Sequence, residues 1–297
     1  MNKNKIKKSF YIFSIISLIL YIKNRIDIKK AEKEFPNLGN FCYIQGSRVH
    51  YLEEGKGETI VFLHDDGGDI YDFYLSSIWN NLKNKFKLIA IDRPGFGYSG
   101  RLEWKEYGYK NQARIINETL EYLNIDKCTL VCLGKSSGIG YTLLSENNKI
   151  FKSLIIVDDK FNVEKTFIDK LLSLKYINKF ISWTLLPIIY KGNLKLSYSI
   201  SDELIDKYKF LDTHPNKIIY AYQNKLFYRQ KEIINVLEKN IENKIKTPIK
   251  IINFENNSLF ENLNLNKYFE NYEYVKIKSL TSLDILNSDD FLNGMDL

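Results

Sequence analysis

Residues 129 to 138 read Thr-Leu-Val-Cys-Leu-Gly-Lys-Ser-Ser-Gly, an apolar run that ends in a Gly-x-Ser-x-Gly pentad centred on Ser136. The apolar run is typical of a buried strand, and the pentad is the sequence form of a nucleophile elbow, a tight strand-to-helix turn. Gly134 and Gly138 keep Cβ atoms away from a backbone that turns sharply. The pattern therefore predicts a serine hydroxyl held at the end of a sheet.

Strand and helix patterns alternate on both sides of this pentad. Strands are predicted at 41–45, 48–52, 59–63, 86–91, 129–133, 153–157, 249–253 and 274–277, with helices at 109–123 and from the pentad to about 148. This alternation predicts an α/β fold in which helices cover both faces of a mostly parallel central sheet.

The alternation divides the chain into predicted parts. They are an N-terminal hydrophobic helix with basic flanks at 1–30, a polar linker at 31–40, a core at 41–159 and 246–297, and an inserted helical lid at 160–245. The lid segment has a helical pattern and is rich in Leu, Ile, Tyr and Phe. Tyr71, Trp104 and Trp183 are candidates to line a pocket beneath it, although an aromatic residue more often belongs to a core.

The N-terminus carries a membrane signal. Four lysines within residues 1–8 precede an uncharged, largely apolar stretch at 9–22, which Lys23 and Arg25 close. A spanning helix needs about 20 apolar residues, so this stretch is short. We expect a membrane protein with a single N-terminal anchor, while a cleaved signal peptide and a buried or interfacial helix stay open as alternatives. Positive residues on both sides leave the orientation undecided.

Composition excludes several classes of function. The 43 Lys and Arg residues and the 36 Asp and Glu residues are scattered along 297 residues, so the net charge of +7 indicates a solvated surface and no nucleic-acid partner. Cys128 and Cys132 would lie about 13 Å apart on a strand, too far for a disulfide. No metal-ligand spacing or phosphate-binding loop occurs, so we expect no metal and no cofactor. The oligomeric state stays open.

Three motifs together resemble the α/β-hydrolase superfamily, in its single-domain esterase, lipase and epoxide-hydrolase-like branch. Residues 63–68 (Leu-His-Asp-Asp-Gly-Gly) resemble its His-Gly oxyanion loop, 92–100 its Asp-x-Pro-Gly-x-Gly-x-Ser loop, and 134–138 its elbow. They occur in the family's order and spacing, and the resemblance covers residues 41–292. It implies an α/β-hydrolase fold with a helical lid over a small apolar or ester substrate or ligand.

The resemblance also implies roles for individual residues. Ser136 takes the nucleophile position, and the backbone N–H groups of Ser137 and Asp66 form the oxyanion hole. The family's acid and histidine positions are occupied by Asn257 and Thr281, neither of which supplies the missing acid or base near pH 7.

Substitutes for these two groups come from elsewhere in the chain. His214, in the predicted lid, and His64, beside the oxyanion loop, are the candidate bases, and Asp158 or Asp159 is the candidate acid. His50 on an early strand is expected to be structural and Lys135 to be solvated. Asp65 and Asp66 in the oxyanion loop place carboxylates beside a pocket meant for negative charge, because Asp65 stands where the family has a glycine.

Two functions from different classes follow. The first is a membrane-anchored serine hydrolase of ester or related acyl substrates with an atypical or degraded triad. The second is a catalytically inactive protein of the same fold that binds a lipid, a small molecule or a protein partner.

Overall fold

The computed structural model of the chain describes residues 3–102, 108–146, 149–159, 174–185, 230–254 and 264–277, together with Leu286. The chain divides into two compact units. The first unit comprises 1–37 and 166–223, and the second comprises 38–165 and 224–297.

The second unit contains a sheet of eight strands among the described residues. These strands are β1 (Asn40–Ile44), β2 (Ser47–Glu54), β3 (Thr59–Leu63), β4 (Lys87–Ile91), β5 (Cys128–Leu133), β6 (Phe151–Val157), β7 (Ile249–Phe254) and β8 (Tyr272–Ile277). Their order is β1-β2-β4-β3-β5-β6-β7-β8. The pairings β1 with β2 and β2 with β4 are antiparallel, and all the others are parallel. The predicted α/β fold with a mostly parallel sheet is confirmed.

The described helices are α1 (Lys3–Glu34), α2 (Tyr71–Tyr74), α3 (Ser77–Leu82), α4 (Tyr109–Tyr122), α5 (Ser137–Ser145), α6 (Lys175–Thr184) and α7 (Gln230–Glu238). Helices α4 and α5 pack against each other, and α7 packs against α5. Strand β5 lies in the middle of the sheet and all six of its residues are buried. Its apolar sequence thus reflects burial on both faces, as parallel strands require.

Helix α1 continues to Glu34, into the segment predicted as a polar linker. Residues 31–34 read Ala-Glu-Lys-Glu, all good helix formers, and Lys30 pairs with Glu34 one turn later. Pro36 disfavours a helical conformation at the residue before it, so the helix ends there.

The predicted lid is described only in part. Within residues 160–245, Ile233 and Leu237 of α7 join the hydrophobic core of the second unit, while α6 belongs to the first unit. Most of the segment lies outside the described residues, so the lid stays a prediction.

The buried carboxylate of Asp92 fixes the loops at the carboxyl end of the sheet. It accepts hydrogen bonds from the N–H groups of Ile70 (2.9 Å) and Tyr98 (2.7 Å), and it contacts His50 Nδ1 at 2.7 Å. Gly97 has a φ of +50°, and a Cβ atom there would overlap the Asp92 carboxyl group. One side chain after β4 therefore connects β2, the loop before α2 and its own glycine-rich loop.

Asp92 makes the stability of the fold depend on pH. Burial raises the pKa of Asp92, but the hydrogen bond and charge of His50 outweigh it, so this pKa lies below its ordinary value. A carboxyl with a lowered native pKa stabilises the fold above its unfolded pKa of about 4, and this contribution is lost as the pH falls through the native pKa. We expect Asp92→Asn to lower the free energy of unfolding by about 3 kcal/mol at pH 7.

The free energy of unfolding of the wild type and of Asp92→Asn is measured by urea unfolding between pH 7 and pH 3. The difference between the two should shrink below about pH 4, because the unfolded wild-type carboxyl then takes up a proton while the folded carboxyl, with its lowered pKa, does not yet do so. The exposed Asp126 offers a matched control, since Asp126→Asn should change stability little at any pH. A difference for Asp92→Asn that stays constant over this range would contradict the assignment.

Candidate functional site

The residue with a left-handed backbone in the strand-to-helix turn is Gly134. It follows the last residue of β5 directly and has a φ of +55°, in the left-handed region that glycine tolerates best. Ser136, two residues later, has a φ of −67° and a ψ of −12° and belongs to the right-handed turn that leads into α5. The elbow conformation that exposes a nucleophile therefore occurs at Gly134 and not at Ser136.

The hydroxyl of Ser136 is turned into the protein. Its side chain has no exposed surface, and Oγ donates to the carbonyl oxygens of Leu133 (2.8 Å) and Leu63 (3.0 Å). These residues are the last of β5 and β3. Through these two hydrogen bonds Ser136 ties the start of α5 to the ends of two central strands.

Two backbone amides converge on the carboxylate of Asp65. Asp65 Oδ1 accepts from the N–H of Asp66 at 2.7 Å and from the N–H of Lys135 at 2.8 Å. Lys135 is the residue after the elbow glycine, and Asp66 lies in the predicted oxyanion loop. The Ser137 amide, which the sequence paired with that of Asp66, instead donates to the carbonyl of Gly134 within the turn. The converging donors are therefore the amides of Asp66 and Lys135.

The Asp65 carboxylate fills the space beside the elbow. A Cβ atom built on Gly134 would overlap its carboxyl group, so a side chain at 134 and the observed conformation of Asp65 exclude each other. Oδ1 of Asp65 takes both amide hydrogen bonds, and Oδ2 accepts none from the described part of the chain. The Asp65 carboxylate, which comes from the loop after β3, thus lies in front of the two amides.

Cations balance the negative charge of this loop. The fully buried Arg93 donates to Asp66 Oδ1 through Nη2, and Lys135 Nζ lies 3.4 Å from Asp66 Oδ2. Burial lowers the pKa of Lys135, but the carboxylates of Asp66 and Asp65 outweigh it and raise this pKa above its ordinary value. Lys135 is therefore charged at neutral pH and is not a general base.

The candidate bases differ in what the structure shows of them. His64 Nδ1 donates to the carbonyl of Asp65 (2.7 Å), and its Nε2 accepts from the N–H of Arg93 (2.9 Å). Both ring nitrogens are used to hold the two loops, and neither bonds to Ser136. His50 is held by Asp92, as already described, which agrees with the structural role expected for it. His214 lies outside the described residues.

The candidate acids, Asp158 and Asp159, directly follow β6. Asp159 accepts hydrogen bonds from the hydroxyls of Ser137 (2.6 Å) and Tyr141 (2.7 Å), both on α5. The adjacent Asp158 is buried with a φ of +55°, and its N–H donates to the carbonyl of Ile252. Asp159 thereby anchors α5 to the end of β6. Asn257 and Thr281 lie outside the described residues.

Sequence reasoning gave Gly134 only a steric role, expected Lys135 to be solvated and did not consider Arg93. A signal for the first two was present, because the apolar run ends at Leu133 and the residue directly after a strand takes the strained turn. The pentad is centred on Ser136, which lies two residues after the left-handed Gly134. Arg93 gave no such signal, since only the fold brings it to Asp66.

The described residues contain no cluster of three or more His, Cys, Asp or Glu side chains that could hold a metal ion. The hydrogen-bond donors of this site are aimed at a carboxylate. The site therefore binds one negative charge, and the Asp65 carboxylate of the chain itself occupies it.

Comparisons with known proteins place these features in context. The model of the α/β hydrolase fold family matches residues 58–185. Haloalkane dehalogenase 2 of Mycobacterium tuberculosis is 34% identical over 102 residues, which are 34% of this chain and 35% of that protein. The cis-3-alkyl-4-alkyloxetan-2-one decarboxylase of Shewanella oneidensis is 29% identical over 122 residues, 40% of this chain and 38% of that protein. The chain thus matches a little over a third of the length of these relatives.

Solved structures match over a longer range. The Cif epoxide hydrolase from Acinetobacter nosocomialis superimposes with a TM-score of 0.70 at 16% identity, covering 92% of this chain and 94% of that one. At such identity the likeness concerns the fold alone.

The two amides provide a direct test of the site. In Asp65→Ala they lose their acceptor, so we expect amide hydrogen exchange at Asp66 and Lys135 to accelerate by at least tenfold. In the matched variant Asp65→Asn the side-chain oxygen can still accept both bonds, and protection should largely persist. Exchange measured by NMR on the folded variants decides the matter, and equal protection in Asp65→Ala and the wild type would contradict the assignment.

Proposed function

Because this chain belongs to the α/β-hydrolase superfamily, we propose that it retains the fold of these hydrolases without their serine chemistry and acts as a membrane-held binding protein. The observation that carries this proposal is the Asp65 carboxylate, which the amides of Asp66 and Lys135 bind in the space beside Gly134. Two physical consequences of that arrangement support it.

The first consequence concerns the nucleophile. In this fold a nucleophile projects from the strained residue of the strand-to-helix turn, where its side chain is exposed. In this chain Gly134 occupies that position, and glycine has no side chain that could act as a nucleophile. Ser136 is buried with its hydroxyl donated to backbone carbonyls, so it is placed for packing and not for attack.

The second consequence concerns charge. Acyl transfer by a serine develops a negative oxygen that two amides must stabilise. Here those amides already face the carboxylate of Asp65. A second negative charge at about 4 Å would be repelled by about 4 kcal/mol at the effective dielectric constant of a protein surface. That penalty corresponds to roughly a thousandfold loss of rate.

Membrane attachment is supported by α1. Its segment Lys7–Glu34 has a mean hydropathy of 1.3 in its most apolar window and is long enough to cross a bilayer, a property that signal sequences share. The apolar side chains of this helix are largely exposed, as described below, which fits contact with lipid better than a soluble surface.

A fluorophosphonate probe tests the loss of serine chemistry. We expect no covalent labelling of the folded full-length chain, because no activated serine faces the elbow, while an active serine hydrolase in the same reaction is labelled. Labelling of the wild type that disappears in Ser136→Ala would overturn the proposal. In that variant the buried carbonyls of Leu63 and Leu133 lose a donor, so we also expect a loss of about 1 kcal/mol in the free energy of unfolding.

A second candidate function rests on the same carboxylate. Asp65 is half-buried, its Oδ1 is fixed by two amides, and its Oδ2 accepts no hydrogen bond from the residues that the structure describes. Carboxylates serve as covalent nucleophiles in other enzymes, and some relatives are named haloalkane dehalogenases. On this candidate, Oδ2 attacks a saturated carbon, a C–O ester bond forms, and the C–halogen bond breaks as halide leaves with its electron pair. Since His64 has both nitrogens engaged, such an ester would persist.

Intact-mass and peptide mass spectrometry separate the two candidates. The full chain is incubated with a primary alkyl bromide, and the peptide that contains Asp65 is examined. A binding protein gives no adduct on the folded chain. An alkyl adduct on Asp65 that is absent in Asp65→Asn would establish the second candidate and exclude the first.

A further inference from the structure

The apolar residues of α1 are exposed around the whole helix within the first unit. The large side chains exposed by about half or more are Phe10, Tyr11, Ile12, Phe13, Ile15, Ile16, Leu18, Ile19, Ile22 and Ile26. A helix on a soluble protein buries one apolar stripe, whereas a helix that is apolar all round lies in a large core or in lipid. The surroundings that suit this helix are hydrocarbon.

Helix α6 packs against α1 through specific contacts within the first unit. Ring centroids lie 5.7 Å apart between Phe13 and Phe180, and 5.5 Å apart between Tyr21 and Trp183. Asn24 Nδ2 donates to the carbonyl of Trp183. That carbonyl lies in the last turn of α6, where carbonyls need donors from outside the helix, and Asn24 supplies one.

The docked helix keeps an apolar surface of its own. Ile177 and Phe180 of α6, with Leu174 and Leu185 at its ends, remain 40% to 50% exposed. Packing on α1 therefore does not hide the apolar face of α6 from its surroundings. The two helices together present one larger apolar surface.

A groove of about 720 Å³ runs between the two helices. It is lined by Phe10, Phe13, Ser14, Ser17, Leu18, Tyr21, Phe180, Trp183 and Thr184. The hydroxyls of Ser14 and Thr184 donate to carbonyls of their own helices, those of Phe10 (2.9 Å) and Phe180 (2.6 Å). Their polar atoms are thereby satisfied, and small side chains leave a depression with a largely apolar lining.

The length and the charge of the groove identify its occupant. From Phe10 to Tyr21 the α1 backbone rises about 16 Å, close to the roughly 15 Å depth of one leaflet of the hydrocarbon core. Beyond Tyr21 the guanidinium of Arg25 lies 5.8 Å from the centre of the Trp183 ring. An apolar channel that ends at an aromatic residue and a cation matches a lipid chain with an anionic headgroup.

We propose that the groove between α1 and α6 binds one acyl chain of an anionic phospholipid, with Arg25 at the headgroup end. This proposal rests on the membrane attachment proposed above and names the ligand class of the protein. The hydrogen bond from Asn24 helps to hold α6 against α1.

Quenching of Trp183 by lipids brominated on their acyl chains tests the proposal. The full chain is reconstituted in phosphatidylcholine vesicles that contain a small, equal mole fraction of either brominated phosphatidylglycerol or brominated phosphatidylcholine. The contribution of Trp183 is the difference between the wild type and Trp183→Phe, which keeps an aromatic ring beside Tyr21. We expect at least twofold stronger quenching of this contribution by the anionic lipid.

Two further variants separate a site from general contact with the bilayer. Ser17→Phe fills the groove and should remove the excess quenching, while Arg25→Gln should remove the preference for phosphatidylglycerol. Equal quenching by both lipids, unchanged by Ser17→Phe, would overturn the proposal. Flotation with vesicles is measured on the same samples: failure to float would refute membrane attachment, whereas flotation without selective quenching would refute the groove alone. Excess quenching that varies with protein concentration at a fixed lipid ratio would indicate a second copy in the groove and also count against it.

Discussion

The pairing of two parallel strands at the centre of the sheet determines where the site forms. Strands β3 and β5 are in register from Thr59 opposite Cys128 to Leu63 opposite Cys132. Because both strands run in the same direction, the loops that follow them emerge at the same edge. The oxyanion loop after β3 therefore lies against the turn after β5, and its side chains can reach the elbow. The contacts of Asp65 and Asp66 with Lys135 depend on this adjacency.

Asp65 and Gly134 form a matched pair across that edge. The Asp65 carboxyl group needs the space that a side chain on residue 134 would fill, and the amide of Lys135 needs an acceptor. An aspartate in one loop and a glycine in the next satisfy both needs together. The result places a carboxylate in front of two amides, in a fold whose serine hydrolases use such amides to stabilise a transient negative charge.

Neighbouring charges make this arrangement stable. Asp65 and Asp66 bring two carboxylates into a partly buried loop, which would be costly without nearby cations. Arg93 and Lys135 supply the positive charge, and the amides of Lys135 and Asp66 supply hydrogen bonds. His64 joins the two loops through backbone contacts on both ring nitrogens. This cluster of charges supports the proposed loss of serine chemistry at the turn after β5.

Much of this protein is determined by the sequence alone. Apolar runs bounded by glycine, proline and polar residues predicted the strands closely: β3 was predicted at its observed bounds, and β4 was predicted one residue early. Burial on both faces leaves a strong local signal in such strands. Three motifs in order then identified the superfamily, and the apolar stretch at 9–22 falls within the helix that can span a bilayer.

The site itself was decided by the tertiary structure. Sequence spacing alone permitted a pentad centred on Ser136, but the backbone at the end of β5 assigns the left-handed conformation to Gly134. The direction of the Asp65 side chain, the pairing of Arg93 with Asp66 and the capping of α6 by Asn24 all join residues far apart in the chain. A local residue pattern indicates which backbone conformation a segment favours and which of its residues are buried. Which atoms meet across two loops depends on strand pairing and packing, which no local pattern contains.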